Sequence, residues 1–347
     1  MELLQNTLRG GGKIAENAPF PSVDETRVEV LLRHFDGDVT TPLVDANRLA
    51  SVGAFWVKDE RSRMGLGSFK ALGAAYVIAR QASDLNKAPD ADTLKGRTYV
   101  TASAGNHGIS VASGARMFGA EAVVYIAETV PVAFEDRLKG FGASVIREGA
   151  DYATSMQAAA QAAEAQGWIL LSDSSWEGYV ELPYILMEGY LQMAHEVVSQ
   201  CAEVPTHVFL QAGVGGMAGA VAAYIRKVWG DEPRIIVVEP EAAPALLASV
   251  RAGTCVFADG PDSIMGRLDC KEPSLIALNG LARDADDFLT ISDDDVRQRL
   301  PQMAASDLAT TASGGAGIAA AMMPEVQEAL GIGPRSRILC FLSEIPE

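Results

Sequence analysis

A chain of 347 residues with 45 acidic against 28 basic side chains has a net charge of −17, which repels polyanions and sets aside nucleic acid and anionic membranes as partners. Its 48% hydrophobic and 21% charged content is that of a globular protein with enough core for two domains or one large one. It has no run of 18 apolar residues, and "MELLQNTLRGGGKIAENAPF" lacks the basic start and apolar core of a signal peptide, so the sequence predicts a cytoplasmic protein.

The first thirty residues read as a polar, glycine-containing leader. Beyond it, apolar strand-like runs alternate with helical patterns. The strands are "GAFWVKDE", "RTYVTAS", "AEAVVYIAE", "ASVIREG", "WILLSDSS", "THVFLQAG", "RIIVVEP" and "RILCFLSE". Between them lie alanine-rich segments such as "YATSMQAAAQAAEAQG" and "LPYILMEGYLQMAHEVVSQC". Strands apolar on both faces, alternating with helices, predict parallel α/β sheets, and seven or eight such strands would be many for one sheet of this size. The acidic "SDDDVRQRLPQ" predicts a helix N-terminus. Cys201, Cys255, Cys270 and Cys340 are widely spaced and, like His34, His107, His195 and His207, make no metal-ligand pattern. The cysteines are expected to be mostly buried small hydrophobes.

Open α/β sheets bind ligands beyond the carboxyl ends of their strands, and here strand after strand ends in unusual residues. "QAGVGGMAG" (Gln211 to Gly219) follows a strand and opens a helix, where glycines bring several N–H groups to the positive end of the helix; it fits a phosphate cradle or tight helix–strand packing. It lacks the Lys and Ser/Thr of a nucleotide-binding loop, and it comes too late in the chain for a dinucleotide fingerprint. "SAGNHG" (Ser103 to Gly108) can cup a carboxylate on its N–H groups, or be an Asn/Ser turn with His107 held by a backbone carbonyl. Lys70, in "GLGSFKALGAAY", sits where the chain packs tightly; moved out of water, a lysine loses proton affinity and becomes a nucleophile for Schiff-base formation.

Taken together, the lysine in "SFKALGAAY", the loop "SAGNHG", the glycine loop "GVGGMAG" and the serine in "LSE" resemble the fold-type II pyridoxal-phosphate enzymes of the tryptophan-synthase β and threonine-dehydratase type. The wording "KDERSRMGLGSFKALGAAY", "SDSSWEGYVELPYILMEGY" and "QAGVGGMAGAV" is most similar to the diaminopropionate ammonia-lyases, and the resemblance runs from about residue 40 onward. It implies two open, twisted, mostly parallel α/β sheet domains with pyridoxal 5'-phosphate in the cleft. The smaller domain is expected at residues 90–175, inserted into a larger one made of 1–89 and 176–347. Lys70 is implied to carry the cofactor as a Schiff base and then to take the α-proton. Phe69 borders the ring, Asn106 meets its 3′ oxygen, Gly213, Val214, Gly215, Gly216 and Met217 cradle the phosphate, and Ser343 meets the ring nitrogen. Ser103, Ala104, Gly105, Asn106 and His107 hold the substrate carboxylate.

Asp173 matches an acidic residue of the ammonia-lyases that faces the substrate amine; the alternative is a cap for the turn that follows, helped by Ser174 or Ser175. Trp176 and Tyr190 read as packing residues. Three features depart from the resemblance: Ala104 stands where the ammonia-lyases carry an aspartate acid/base, Ala312 where an acidic residue often precedes "SG", and the sequence stops at "LSEIPE" where relatives continue. Ala104 points to L-configured substrates. The expected reaction is β-elimination from a small L-amino acid, first 2,3-diaminopropionate, to give a 2-oxo acid and ammonia, with a serine, threonine or 3-hydroxyaspartate dehydratase as the alternative. A non-catalytic amino-acid or cofactor-binding regulator is a different class that the intact Lys70 weighs against, and an oxidoreductase is disfavoured by the absent early glycine fingerprint. The resemblance also implies a homodimer.

Overall fold

The computed structural model describes residues 1–35 and 40–346. Among the described residues, eleven strands run in chain order as β1 (Glu2–Gln5), β2 (Leu43–Asp45), β3 (Ala54–Asp59), β4 (Thr98–Ala102), β5 (Glu121–Ile126), β6 (Ser144–Arg147), β7 (Ile169–Leu170), β8 (His207–Gln211), β9 (Arg234–Pro240), β10 (Asp287–Ile291) and β11 (Arg337–Leu342). They form two sheets: seven strands in the order β1-β10-β9-β8-β11-β3-β2, and four in the order β6-β5-β4-β7. All pairings are parallel except those of β1 with β10 and β2 with β3, which lie at the two edges of the larger sheet. The parallel strands β8, β9 and β11 are buried on both faces, as helices covering each side require, which is why they read as unbroken apolar runs.

All eight expected strands are present. Three others, β1, β2 and β10, lie outside those expectations, and β1 corrects the reading of the first thirty residues as a loop. Glu2 to Gln5 add an edge strand beside Asp287 to Thr290, and Asn6 Nδ2 donates to the carbonyls of Ala282 and Ala285. The polar edge residues of so short a strand hide its period from a sequence reading. The acidic segment does begin a helix, Asp293–Ala305, with Ser292 and Asp295 satisfying each other's backbone N–H in a capping box.

The helix Ala71–Leu85, which follows Lys70, packs against helices Asn106–Met117 and Glu181–Gly189. Small residues set that distance. A Cβ on Gly73 would lie 2.9 Å from atoms of Leu186 and Tyr190, and one on Gly114 would lie 2.9 Å from Ile78. Of the cysteines only Cys340 is fully buried; Cys201 and Cys270 are half-buried and Cys255 is exposed, which corrects the expectation that most lie in the core.

Candidate active site

The segment that delivers Lys70 is fixed from both sides. Upstream, Lys58 at the end of β3 and Arg63 in the following turn are fully buried among carboxylates: Lys58 Nζ lies 2.5 Å from Glu196, and Arg63 reaches Glu60 at 2.7 Å and Glu196 at 2.8 Å. Burial opposes both charges, and it lowers Lys58 despite Glu196, whereas the paired carboxylates outweigh it at Arg63 and hold the guanidinium firmly protonated. Met64, Gly65 and Gly67 then adopt φ of 52°, 68° and 83°, turning the chain sharply toward Lys70. Downstream of the turn, Phe69 N–H donates to the Ser343 carbonyl at 3.1 Å, and Ile345 N–H donates to the Gly67 carbonyl at 2.9 Å. The end of β11 thus pairs with the backbone on which Lys70 sits.

Lys70 Nζ is hydrogen-bonded and ion-paired to Asp173, beyond the end of β7. Burial works to strip the proton from the amine, but the Asp173 carboxylate outweighs it and holds the proton affinity well above lysine's ordinary value. This corrects the expectation of an amine made neutral by desolvation: a charge partner in contact wins over burial. Burial likewise opposes the Asp173 charge, and Lys70 holds that carboxyl well below its usual range. Asp173 is not the cap of the turn after it, since the Ser175 N–H donates to Ser274 Oγ at 3.1 Å and the Trp176 N–H to the Tyr179 carbonyl at 3.2 Å.

Around this pair stand the groups singled out from the sequence. The loop at 213–217 opens the helix Gly216–Trp229, whose first N–H groups have no partner within the helix. Gly215 has φ +94°, and a Cβ there would lie 3.0 Å from Leu246 and 3.1 Å from Ala277. A Cβ on Gly213 would lie 2.9 Å from Cys270 Sγ, and one on Gly216 3.6 Å from the Tyr190 ring and 3.8 Å from the Asp173 carbonyl. The glycine loop and the Lys70–Asp173 pair therefore share one site. Phe69 and Tyr190 meet there with ring centroids 5.1 Å apart.

Ser103 Oγ accepts from Gly105 N–H at 3.3 Å, and Ala104 and Ser103 border a cavity of about 330 Å³ that Tyr125, Asp151 and Tyr152 also line. His107 is held by a backbone carbonyl: Nε2 lies 2.9 Å from Leu171 O, so Nε2 carries the proton, and burial depresses the charged form of the ring. Asn106 Nδ2 donates to Glu344 Oε2 at 2.7 Å. Ser343 is buried beside them, its N–H on the Gly314 carbonyl at 3.2 Å. Trp176 stacks on Tyr179 with centroids 4.3 Å apart and is partly exposed, in keeping with a packing role.

Three residues of the site were given no part in it by the sequence. Tyr190, expected only to pack, stands beside Phe69, with Lys70 and Asp173 both acting on its hydroxyl electrostatically. Arg267 NH1 reaches Glu344 Oε1 at 2.5 Å, and Arg267 Nε lies 3.9 Å from the place a Gly105 Cβ would take. Glu344 was legible only as the neighbour of the serine in "LSE". Ala312 lines a cavity of about 510 Å³ together with Arg267, Thr310, Thr311 and Ser313, so polar side chains surround the position where the acidic residue is missing.

These groups suit a phosphorylated aromatic aldehyde. They supply a lysine amine, an aromatic side chain beside it, and a glycine loop too close to its neighbours for side chains. Among the described residues, His107 Nδ1 and the Tyr190 hydroxyl are buried without hydrogen-bond partners, as polar groups lining a ligand cleft would be. A family model described as "Pyridoxal-phosphate dependent enzyme" matches residues 35–344. The chain belongs to the pyridoxal-phosphate dependent enzymes, of fold type II, and its cofactor is pyridoxal 5'-phosphate.

Within that family it is similar to the diaminopropionate ammonia-lyases. It is 35% identical over 262 residues to that of Salmonella typhimurium, covering 68% of this chain and 65% of the relative. It is 35% identical over 271 residues to that of Escherichia coli K12, covering 73% and 68%. The matches thus span about two thirds of these relatives' length. The crystal structure of diaminopropionate ammonia lyase from Escherichia coli in complex with an aminoacrylate-PLP azomethine reaction intermediate superposes with a TM-score of 0.85 at 28% identity, covering 99% of this chain and 93% of that one.

Proposed function

We propose that the protein is a carbon–nitrogen lyase that performs β-elimination on a small L-amino acid, with L-2,3-diaminopropionate the first substrate, giving a 2-oxo acid and ammonia. The observation that carries this reading is the Lys70–Asp173 ion pair beside the 213–217 loop. Lys70, Phe69, Asn106, residues 213–217 and Ser343 would hold the cofactor. When bound, pyridoxal phosphate supplies a conjugated ring that draws off the electron pair left on the substrate's α-carbon.

The protein's own groups divide the remaining work. The loop at residues 103–107 orients the substrate carboxylate through N–H groups other than those of Ser103 and Gly105, which donate to the Tyr125 carbonyl and to Ser103 Oγ. Lys70 Nζ takes the α-proton as a free amine and becomes an ammonium, and Asp173 in contact with it stabilises the charge that forms. The same carboxylate attracts a β-ammonium and aligns the carbon–nitrogen bond that breaks; its electron pair leaves with the nitrogen as ammonia. Neutral His107 contributes no competing cation next to that nitrogen. Ala104 offers no group to move a proton on the opposite face, which supports the L over the D configuration. The reading includes a division of the chain near residues 90 and 175, a homodimer and a cytoplasmic location.

Arg267 favours one second reading. Its cation lies against the 103–107 loop and lines the cavity with Thr310, Thr311 and Ser313, as recognition of a distal substrate carboxylate would need. That substrate is 3-hydroxyaspartate, losing water in place of ammonia. Ammonia and 2-oxo acid release from L-diaminopropionate, L-serine, L-threonine and both 3-hydroxyaspartate diastereomers separates the two. Turnover of diaminopropionate that collapses in Asp173→Asn supports the first; turnover of hydroxyaspartate alone, lost in Arg267→Leu, supports the second.

A further inference from the structure

Glu344 is the point at which four separate segments meet. Its backbone forms an antiparallel bridge with Ser68, two residues before Lys70. Its carbonyl accepts the Thr310 hydroxyl at 2.6 Å. Its side chain, on a residue 3% exposed, accepts from Asn106 Nδ2 at 2.7 Å, from Arg267 NH1 at 2.5 Å and from the Thr311 hydroxyl. A carboxylate is costly to bury, and this one is matched on every side by donors.

The chemistry of the Asn106 contact is directional. A side-chain amide can turn either its oxygen or its nitrogen toward a neighbour, but an ionised carboxylate only accepts. Glu344 therefore fixes the nitrogen of Asn106 on its own side and decides which way round the amide stands. The second N–H then remains the group that the amide offers elsewhere. Asn106 belongs to the helix that follows β4 in the four-stranded sheet, whereas Ser68 and Glu344 extend from the seven-stranded one, so the bond also ties the two sheets together at the site.

We propose that Glu344 is a positioning residue: it orients the Asn106 amide so that an N–H, not the C=O, faces the cofactor's ring oxygen, and it locks that amide to the segment bearing Lys70. Arg267 balances the charge this requires. The inference rests on the family reading that Asn106 contacts the cofactor.

The test is Glu344→Gln, which keeps length and volume but can present oxygen or nitrogen to Asn106. Apo-protein is titrated with pyridoxal phosphate by equilibrium dialysis, and the visible band of the loaded protein is followed against pH. Glu344→Gln is expected to bind the cofactor about 5- to 10-fold more weakly, the worth of one hydrogen bond. The pH midpoint of the band is expected to rise, because an ionised ring oxygen loses a donor. Combining Glu344→Gln with Asn106→Ala should give no further loss beyond Asn106→Ala alone. An unchanged affinity and midpoint in Glu344→Gln overturns the proposal, and so does an additive double variant. If Glu344→Gln does not fold, Thr311→Val removes one donor to the same carboxylate, and a shift in the same direction supports the proposal while no shift overturns it. Wild-type protein that takes up no cofactor refutes the reading of Asn106 itself and is told apart at once by the absent colour.

Discussion

Asp173→Asn makes the most informative perturbation, because its effect on cofactor capture runs opposite to its effect on turnover. In the unloaded protein Asp173 holds Lys70 protonated against the pull of burial, and a protonated amine cannot attack an aldehyde. Removing an opposite charge at contact distance changes a proton affinity by roughly 10- to 1,000-fold. Burial then acts unopposed on Lys70, so the free-amine fraction near neutral pH rises by a factor in that range. Mixing apo-protein with pyridoxal phosphate in a stopped-flow spectrometer between pH 6.5 and 9 measures it directly. The wild-type rate of band formation should climb about tenfold per pH unit across the range, in proportion to free amine. The Asn variant should be faster at pH 7 and should level off at lower pH, while its turnover of diaminopropionate falls. A variant slower than wild type at every pH would refute the argument, since it would mean that Asp173 promotes attack and does not restrain it.

Other outcomes follow from the same geometry. Asp173 has a folded pKa held below its ordinary 3.8, so the stability it contributes is complete above that value and is lost as pH falls through the folded one; thermal unfolding of the apo-protein should drop more steeply on acidification below pH 4 than that of Asp173→Asn. Gly215→Ala, at φ +94° with a Cβ 3.0 Å from Leu246, should cost about 1–3 kcal/mol in urea unfolding and weaken cofactor binding in dialysis, whereas Gly230→Ala, with open space around its Cβ, should leave cofactor binding intact. Arg63→Met strands Glu60 and Glu196 with Lys58 as their one remaining buried cation in this cluster and should destabilise by about 3–5 kcal/mol, read as a lower denaturant midpoint.

The two-sheet architecture was legible because doubly buried strands leave long apolar runs, and β8, β9 and β11 are of that kind. β10 also has five buried residues, but "DFLTI" is short and sits between aspartate-rich stretches that conceal it. At the site, the glycines and Asn106 declared themselves by local chemistry. The charge state of Lys70 did not, because it depends on Asp173 more than a hundred residues away, and no local pattern encodes that contact. Glu344 and Arg267 escaped for a related reason: each looks like an ordinary surface charge until the fold brings the strand ends and the 263–268 loop together.

The pairing of residues 67–69 with 343–345 has a consequence for the order of events in folding. Lys70 is synthesised before the strand Arg337–Leu342, but the backbone that holds its segment is completed only when that strand has entered the sheet between β3 and β8. That closure spans most of the chain and is entropically late. A nascent polypeptide therefore carries the reactive amine well before it carries a place for the aldehyde, and cofactor uptake becomes a report that Arg337–Leu342 has docked.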